Sequence, residues 1–408
     1  MGIDNIDDFG VEVETETKGI ENTDIVIESV VTAEGAKIKA IGVGGGGGNM
    51  INNMIAEGVS GIDLIVANTD AQALDASMAP TKLQLGLNAT RGLGAGMVPE
   101  KGREAALESF DDIKNTLAGA DIVFISAGMG GGTGTGAAPI VAQAAKEVGA
   151  LTVSVVTTPF KFEGRKRAKL SKEGLEELKR ESDSIIVIPN EKLLSIVEKN
   201  LGIKESFRLV DDVLCQAVAG ISNVILSHGP NDINLDFADV KTVMGHRGLA
   251  LMGSGRSQGA NAAYDAAKAA IDSPLLDNIS INGAMGVLVH FYIHPDYPIL
   301  QISEAMETIE DHAHEDANVI FGTTTDPNMA EDEVKITIVA TGFDSNENVA
   351  KDQAQKAKEA SNLLSGMSAN AASVKTSTMS QMRRVAGGYN QDADDSLDVP
   401  TFLRKQMD

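Results

Sequence analysis

The strongest constraint on this chain is a junction that occurs twice: an apolar run of strand length ends in a cluster of glycines, and a helix-like stretch follows. Ile38–Val43 leads into Gly44-Gly45-Gly46-Gly47-Gly48-Asn49, and Ile122–Ala127 leads into Gly128-Met129-Gly130-Gly131-Gly132-Thr133-Gly134-Thr135-Gly136. Glycine lets backbone approach an anion closely, and a helix start behind it offers free N–H groups and a positive dipole end. Further apolar runs, Ile62–Ala67, Leu151–Val156 and Ile185–Ile188, alternate with helix-like stretches such as Glu100–Leu117 and Ala137–Val148. Continuously apolar strands separated by helices predict a parallel sheet covered on both faces. Ligands of such sheets bind at the carboxyl ends of the strands.

Beyond this region a long helix is expected over about Ile203–Ser227. Strand-like runs Val287–Ile293, Asn318–Gly322 and Val334–Thr341 then surround one helix, Ile302–His312, which predicts a smaller second α/β domain. Residues 1–36 hold ten acids and one base, −9 of the total charge of −24. Such a segment repels itself and reads as a disordered acidic arm. Residues 344–397 have linker composition, and the mixed apolar and charged run Asp398–Asp408 closes the chain. The expected organisation is therefore 1–36 arm, 37–202 ligand-binding domain, 203–227 connecting helix, 228–343 second domain, 344–397 linker and 398–408 terminal peptide.

The acidic balance argues against nucleic acid, since there is no surplus of Lys and Arg to neutralise phosphates. A single cysteine, Cys215, forms no internal disulfide, and six His with one Cys supply no zinc spacing. His312 and His314, two apart, do not share a helix face. No secretion signal is expected at the start and no apolar stretch long enough to span a membrane, so the reading is cytosolic, without direct membrane insertion.

Gly42–Gly47 alone satisfies the dinucleotide fingerprint, which keeps a nicotinamide or flavin oxidoreductase open. There is no Walker-type P-loop. The second cluster is more specific, because it interleaves hydroxyls with glycines and makes an anion nest suited to a polyphosphate without a lysine. Gly130–Gly136, GGGTGTG, closely resembles the signature of the tubulin/FtsZ family, and the resemblance extends from about Lys37 to Phe343. It implies an α/β fold with a Rossmann-like parallel-sheet GTPase domain, a long central helix and a smaller α/β second domain. GTP and GDP are the implied ligands, with Mg²⁺ held mainly by phosphates and water rather than by protein ligands.

By that resemblance, Gly45, Gly46, Gly47, Gly48 and Asn49, with Gly131, Gly132, Thr133, Gly134, Thr135 and Gly136, are the phosphate-binding segments. Asn68, Thr69 and Asp70, and Gly94, Ala95 and Gly96, close around the γ-phosphate and its Mg²⁺. Glu163 accepts from a ribose hydroxyl, with Arg167 by the sugar and inner phosphate. Guanine exposes an N1–H and an N2 amine, for which Asn190 and Asp211 are the acceptor candidates, and Phe207, one turn before Asp211, would stack on the base.

Asn234, Asp236 and Asp239 lie in NLDFAD after the long helix. In the resemblance this loop completes the active site of the next subunit, with the two acids positioning water and Asn234 supporting the loop. The same acids also suit the cap and first turn of a helix at Val240–Met244. A site shared between unlike faces makes a head-to-tail homopolymer. The terminal peptide resembles a docking segment of bacterial members of the family. Val399, Pro400, Phe402 and Leu403 would fill a groove with Arg404 and Lys405 at its rim, binding membrane-tethering and regulatory division proteins at mid-cell. A filament protein without assembly-coupled hydrolysis is a further alternative.

Overall fold

The computed structural model describes residues 35–193, 202–226, 232–233, 235–246, 248–276 and 283–343. Asn234, the acidic arm, the linker and the terminal peptide with Val399, Pro400, Phe402, Leu403, Arg404 and Lys405 lie outside the described residues.

The first half runs β1 (Ile38–Val43), α1 (Gly44–Ala56), β2 (Ile62–Asn68), α2 (Ala71–Asp75), β3 (Thr81–Gln84), α3 (Pro99–Glu108), α4 (Phe110–Leu117), β4 (Ile122–Gly128), α5 (Thr133–Glu147), β5 (Leu151–Thr158), α6 (Arg165–Glu181), β6 (Ser184–Pro189) and α7 (Asn190–Leu193). The second runs α8 (Ile203–Leu226), α9 (Phe237–Met244), β7 (Gly248–Gln258), α10 (Ala262–Ile271), β8 (Gly286–Ile293), α11 (Ile299–Glu310), β9 (Asn318–Thr325) and β10 (Glu333–Thr341).

All ten strands form one sheet in the order β3-β2-β1-β4-β5-β6-β7-β10-β8-β9. The strands from β3 to β7 are parallel; β10 runs antiparallel to both β7 and β8. The two halves are thus stitched by a short β6–β7 pairing, Ser184–Ile186 against Gly248–Ala250. The chain leaves β1 toward β2 on one side and later returns to β4 on the other, so β1 and β4 flank the switch point.

The apolar residues of β1, β4 and β5 are buried on both faces. One face packs Met50, Ile51 and Met54 of α1 against Val218 and Ile221 of α8. The other packs Ala105, Ile113 and Leu117 against α5, and a third core lies between β7, β8, β10 and helices α10 and α11. The α3–α5 contact demands glycine: a Cβ on Gly136 would lie 1.9 Å from the Pro99 carbonyl, and one on Gly102 would lie 2.4 Å from the Gly132 carbonyl.

Several sequence expectations need correction. The helical stretch Glu100–Leu117 is two helices, because buried Ser109 leaves helical geometry and its Oγ accepts from the Gly86 N–H at 3.0 Å. The first glycine cluster is not a loop ahead of a helix, because α1 begins at Gly44 and those glycines form its opening turns; the second does turn ahead of its helix, which begins at Thr133 rather than Ala137. The expectation that no apolar stretch could span a membrane fails at Glu205–Leu226, which is long and apolar enough by composition. In this fold its apolar face, Leu214, Ala217, Val218, Ile221, Val224 and Ile225, is buried in the core, as in the central helix of a globular domain.

Candidate functional site

Register brings the two glycine starts together. Val43 pairs with Ala127 at the ends of β1 and β4, so Gly44 and Gly128 leave the sheet side by side. Gly44 has φ +73, and a Cβ there would lie 2.9 Å from the Gly134 backbone N. Two helices of 13 and 15 residues therefore aim their N-terminal N–H groups at one space above the switch point.

Within these turns the glycines divide by role. Gly47, Gly134 and Gly136 serve packing, since a Cβ on Gly47 would lie 2.3 Å from the Ser126 carbonyl and one on Gly134 would lie 2.5 Å from the Gly128 carbonyl. Gly48 is buried over Val66, and Gly132 is packed under Ala95 and Val98. Gly45 and Gly131 are different: neither has a positive φ, and a Cβ on either would meet no protein atom within 4 Å. Gly45, Gly46 and Asn49 are exposed on the open side of α1.

Hydroxyls fix the surrounding backbone. Buried Thr135 accepts from the Gly130 N–H at 2.8 Å, so its Oγ holds the turn. The hydroxyls of Thr69 and Thr133 lie 2.7 Å apart and join the end of β2 to the start of α5. Asn68 Oδ1 accepts from the Asp70 N–H, and Asp70 Oδ1 caps α2 by accepting from the Gln72 and Ala73 N–H groups. The Gly94 N–H donates to the Thr69 carbonyl and the Ala71 N–H to that of Gly92, which brings the Gly94-Ala95-Gly96 turn over the end of β2. Left-handed φ values at Arg91, Gly92, Gly94, Gly96 and Met97 make this loop a tight reversal.

On the other side, after β5, Glu163 accepts from the Phe160 N–H at 2.9 Å and pairs with Arg167. Phe160 stacks on Phe162, with ring centroids 4.9 Å apart, and meets the edge of Phe207 on α8 at 5.4 Å. The Lys161 N–H donates to Glu191, so the turn after β5 is tied to the start of α7. Asn190, 5% exposed, has a buried Oδ1 with no hydrogen-bond partner. Burial first, and Asp212 second, push the Asp211 carboxyl up to about 7. Phe160, Phe162 and Glu191 were not among the sequence candidates; the signal available was a pair of phenylalanines just before Glu163 in a chain with 4% aromatics.

Asp236 and Asp239 are not here. Asp236 caps α9 through the Ala238 N–H at 3.5 Å, and Asp239 lies in its first turn, both exposed. Among the described residues no three His, Cys, Asp or Glu gather as a metal cluster.

Two helix starts converging above the switch point, with the Phe160–Phe162–Phe207 cluster and the unpartnered Asn190 oxygen on the β5–β6 side, fit a nucleotide-binding protein of the doubly wound α/β class. Comparison with known proteins narrows the class. Residues 37–198 match the GTPase domain of the tubulin/FtsZ family, and residues 248–344 match the C-terminal domain of the FtsZ family. The chain is 45% identical over 378 residues to the cell division protein FtsZ of Helicobacter pylori strain ATCC 700392 / 26695, covering 92% of this chain and 94% of that one. It is 50% identical over 318 residues to that of strain J99, covering 78% and 82%. Its fold is similar to that of an empty FtsZ dimer from M. jannaschii, with a TM-score of 0.72 and 45% identity over 76% of this chain and 89% of that one. CetZ1 from Haloferax volcanii, at 18% identity and a TM-score of 0.65, shares the fold, covering 75% of this chain and 94% of that one.

The chain belongs to the tubulin/FtsZ family of GTPases, in its FtsZ branch. It is a GTPase of the cell-division cytoskeleton, and the dinucleotide oxidoreductase alternative is not favoured.

Proposed function

We propose that this GTPase hydrolyses GTP only where two copies meet head to tail, because its catalytic acids sit at the opposite end of the molecule from its own nucleotide. The observation that carries this is the course of α8. Phe207 in its second turn touches Phe160 at the nucleotide rim, and Leu226 at its end reaches Gly61, just before β2, at the opposite edge of the parallel sheet. A helix of 24 residues spans about 36 Å. Asp236 and Asp239 follow that far end and so serve the nucleotide of the next copy.

In this reading the N–H groups around Gly45, Gly46, Gly131 and Thr133 hold the phosphates, and Gly45 and Gly131 are glycine because a phosphate oxygen occupies the space of a Cβ. Asn68, Thr69, Asp70 and the Gly94–Gly96 turn cover the outermost phosphate. Glu163 and Arg167 hold the ribose. Asn190 and Asp211 accept from guanine, which explains why a buried Oδ1 is kept without a protein partner, and Phe207 stacks on the base. Neither glycine start carries a Lys or Arg, so a divalent cation fits the site; bound to the phosphates, with Asp70 alongside, Mg²⁺ would neutralise charge developing on them.

The neighbour's Asp236 and Asp239 orient the attacking water, and Asn234 supports their loop. Head-to-tail contacts that do not close give a filament. The peptide Val399–Leu403 then tethers filaments to membrane-associated division proteins at mid-cell. Phosphate release measured against protein concentration, with light scattering alongside, tests the reading. Specific activity rises steeply above the assembly threshold; activity per molecule that stays flat from high dilution upward refutes it.

A further inference from the structure

Strands β5 and β6 end side by side, Thr158 against Pro189, so the segments that follow them leave the sheet as neighbours. The segment after β5 carries Glu163 and Arg167, and the segment after β6 carries Asn190. These are the groups read above as meeting the sugar and the base, and one side chain joins the two segments. Glu191 Oε2 accepts from the Lys161 N–H at 3.1 Å, and its Oε1 lies 3.2 Å from the Lys161 ammonium.

The sugar turn is closed within itself. Glu163 accepts from the Phe160 N–H at 2.9 Å, the Glu163 N–H donates back to the Phe160 carbonyl at 3.1 Å, and the Gly164 N–H donates to the Lys161 carbonyl at 3.2 Å. Those bonds make the turn stiff but do not set its tilt toward the base side. Phe160, 2% exposed, anchors one end in the core, and Glu191 holds the middle against α7. The two bonds of Glu191 differ in weight. The Lys161 side chain is 84% exposed, so its ion pair is screened by solvent and contributes little. The Lys161 N–H is presented by the turn whatever side chain stands there, and it is the main cause that holds the Glu191 carboxyl below the usual carboxylate range.

We infer that Glu191 is a positioning residue that fixes the sugar-binding turn against the base-binding start of α7, so that a guanine ribonucleoside is gripped as one unit. It acts through the Lys161 backbone and Glu163 rather than on the nucleotide itself. The inference rests on the reading that Glu163 meets the ribose and Asn190 the base. It makes Glu191 a determinant of nucleoside binding and leaves the phosphate grip of the two glycine turns untouched.

Calorimetric titration of the dilute full chain with GTP, GDP and 2′,3′-dideoxy-GTP tests this on Glu191→Ala, Glu191→Gln, Lys161→Ala and Glu163→Ala. Glu191→Ala is expected to weaken GTP and GDP by the same factor, about tenfold, the loss of one hydrogen bond to a charged group. Dideoxy-GTP, which lacks the sugar hydroxyls, should lose about twofold or less, since pairs that act through a shared partner are not additive. For the same reason Glu191→Ala should cost little more in a chain that already carries Glu163→Ala. Lys161→Ala keeps the N–H and should bind as the parent does. Glu191→Gln keeps the side-chain volume and one acceptor, should fall between parent and Glu191→Ala, and carries the same test if Glu191→Ala melts early. Equal losses for GTP and dideoxy-GTP overturn the inference, as do unequal losses for GTP and GDP, a Lys161→Ala variant as impaired as Glu191→Ala, or parent-like GTP binding by Glu191→Ala. If Glu163→Ala binds GTP as the parent does, the sugar reading itself is wrong and the inference falls with it. A loss from Glu163→Ala with none from Glu191→Ala overturns the inference alone.

Discussion

A substitution of Gly45 by alanine separates glycines kept for a ligand from glycines kept for packing. Gly45 lies in the first turn of α1, without a positive φ, and an added Cβ would meet no protein atom within 4 Å. On the fold alone, Gly45→Ala is favourable by about 0.5–1 kcal/mol, because glycine in a helix loses more backbone entropy than alanine. That corresponds to a rise of about 2 °C in Tm. On the proposed binding mode, the same methyl would stand where a phosphate oxygen approaches the N–H groups. Losing one hydrogen bond to a charged group costs about 1.5–3 kcal/mol, a weakening of GTP binding by about 10- to 150-fold. Gly136→Ala is the control: its Cβ would lie 1.9 Å from the Pro99 carbonyl and 2.8 Å from the Arg103 N, so α3 must move and Tm falls, by about 1–3 kcal/mol of stability. The assays are a thermal melt without nucleotide and titration of dilute protein with a fluorescent GTP analogue. If Gly45→Ala binds GTP as the parent does, or melts several degrees lower, the ligand reasoning for that glycine is wrong.

Asp239→Ala should leave GTP affinity nearly intact while removing most turnover, with filaments that persist longer in light scattering; a loss of affinity matching that of Gly45→Ala would place Asp239 in its own subunit's pocket. With Asp211 as the proposed guanine acceptor, binding needs its ionised form; because burial raises the carboxyl to about 7, GTP affinity should fall as pH drops from 8 to 6, by up to about tenfold per unit below 7, whereas Asp211→Asn should flatten that dependence. For stability the sign is opposite: the raised group contributes stability that is fully present below the ordinary carboxylate range and lost as pH rises through about 7, so Asp211→Asn without nucleotide should melt higher than the parent at pH 8 and equally at pH 4. Deleting residues 398–408 should leave GTP turnover and polymerisation of purified protein unchanged while preventing localisation at the division site in cells; lost turnover with normal localisation would mean that the peptide packs on the GTPase body.

Much of the nucleotide half was legible because its signals are local. The run Ile38–Val43 is a strand from its first residue to its last, and Ile122–Ala127 falls one residue short of β4. Both are buried on both faces, so composition alone marks them. Strand β7, Gly248–Gln258, was not legible: it contains glycines at 253 and 255 that a Cβ would drive into the carbonyls of Ala270 and Ala266, so its identity as a strand depends on α10 lying against it. Helix α6, with a strongly polar surface, reads in sequence as a charge run, and only Ser171, Gly174 and Leu178 mark its buried side.

The sequence by itself determined that two strand ends carry glycine turns suited to an anion, that GGGTGTG belongs to a GTPase family, and that the acids of NLDFAD follow a long helix. These are properties of short segments, set by backbone freedom and side-chain chemistry within a few residues. Only the tertiary structure decided which glycines face the ligand space and which face a carbonyl, because that depends on what packs behind each one. It also decided that Asn190 keeps an unpartnered oxygen beside the Phe207 helix, and that Phe160 and Phe162 form a fixed plate at the rim. Above all, it placed Asp236 beyond the far end of α8, away from the two glycine turns. A helix crossing the whole sheet converts a separation along the chain into a separation in space, and no local pattern records which edge of the sheet its far end will reach.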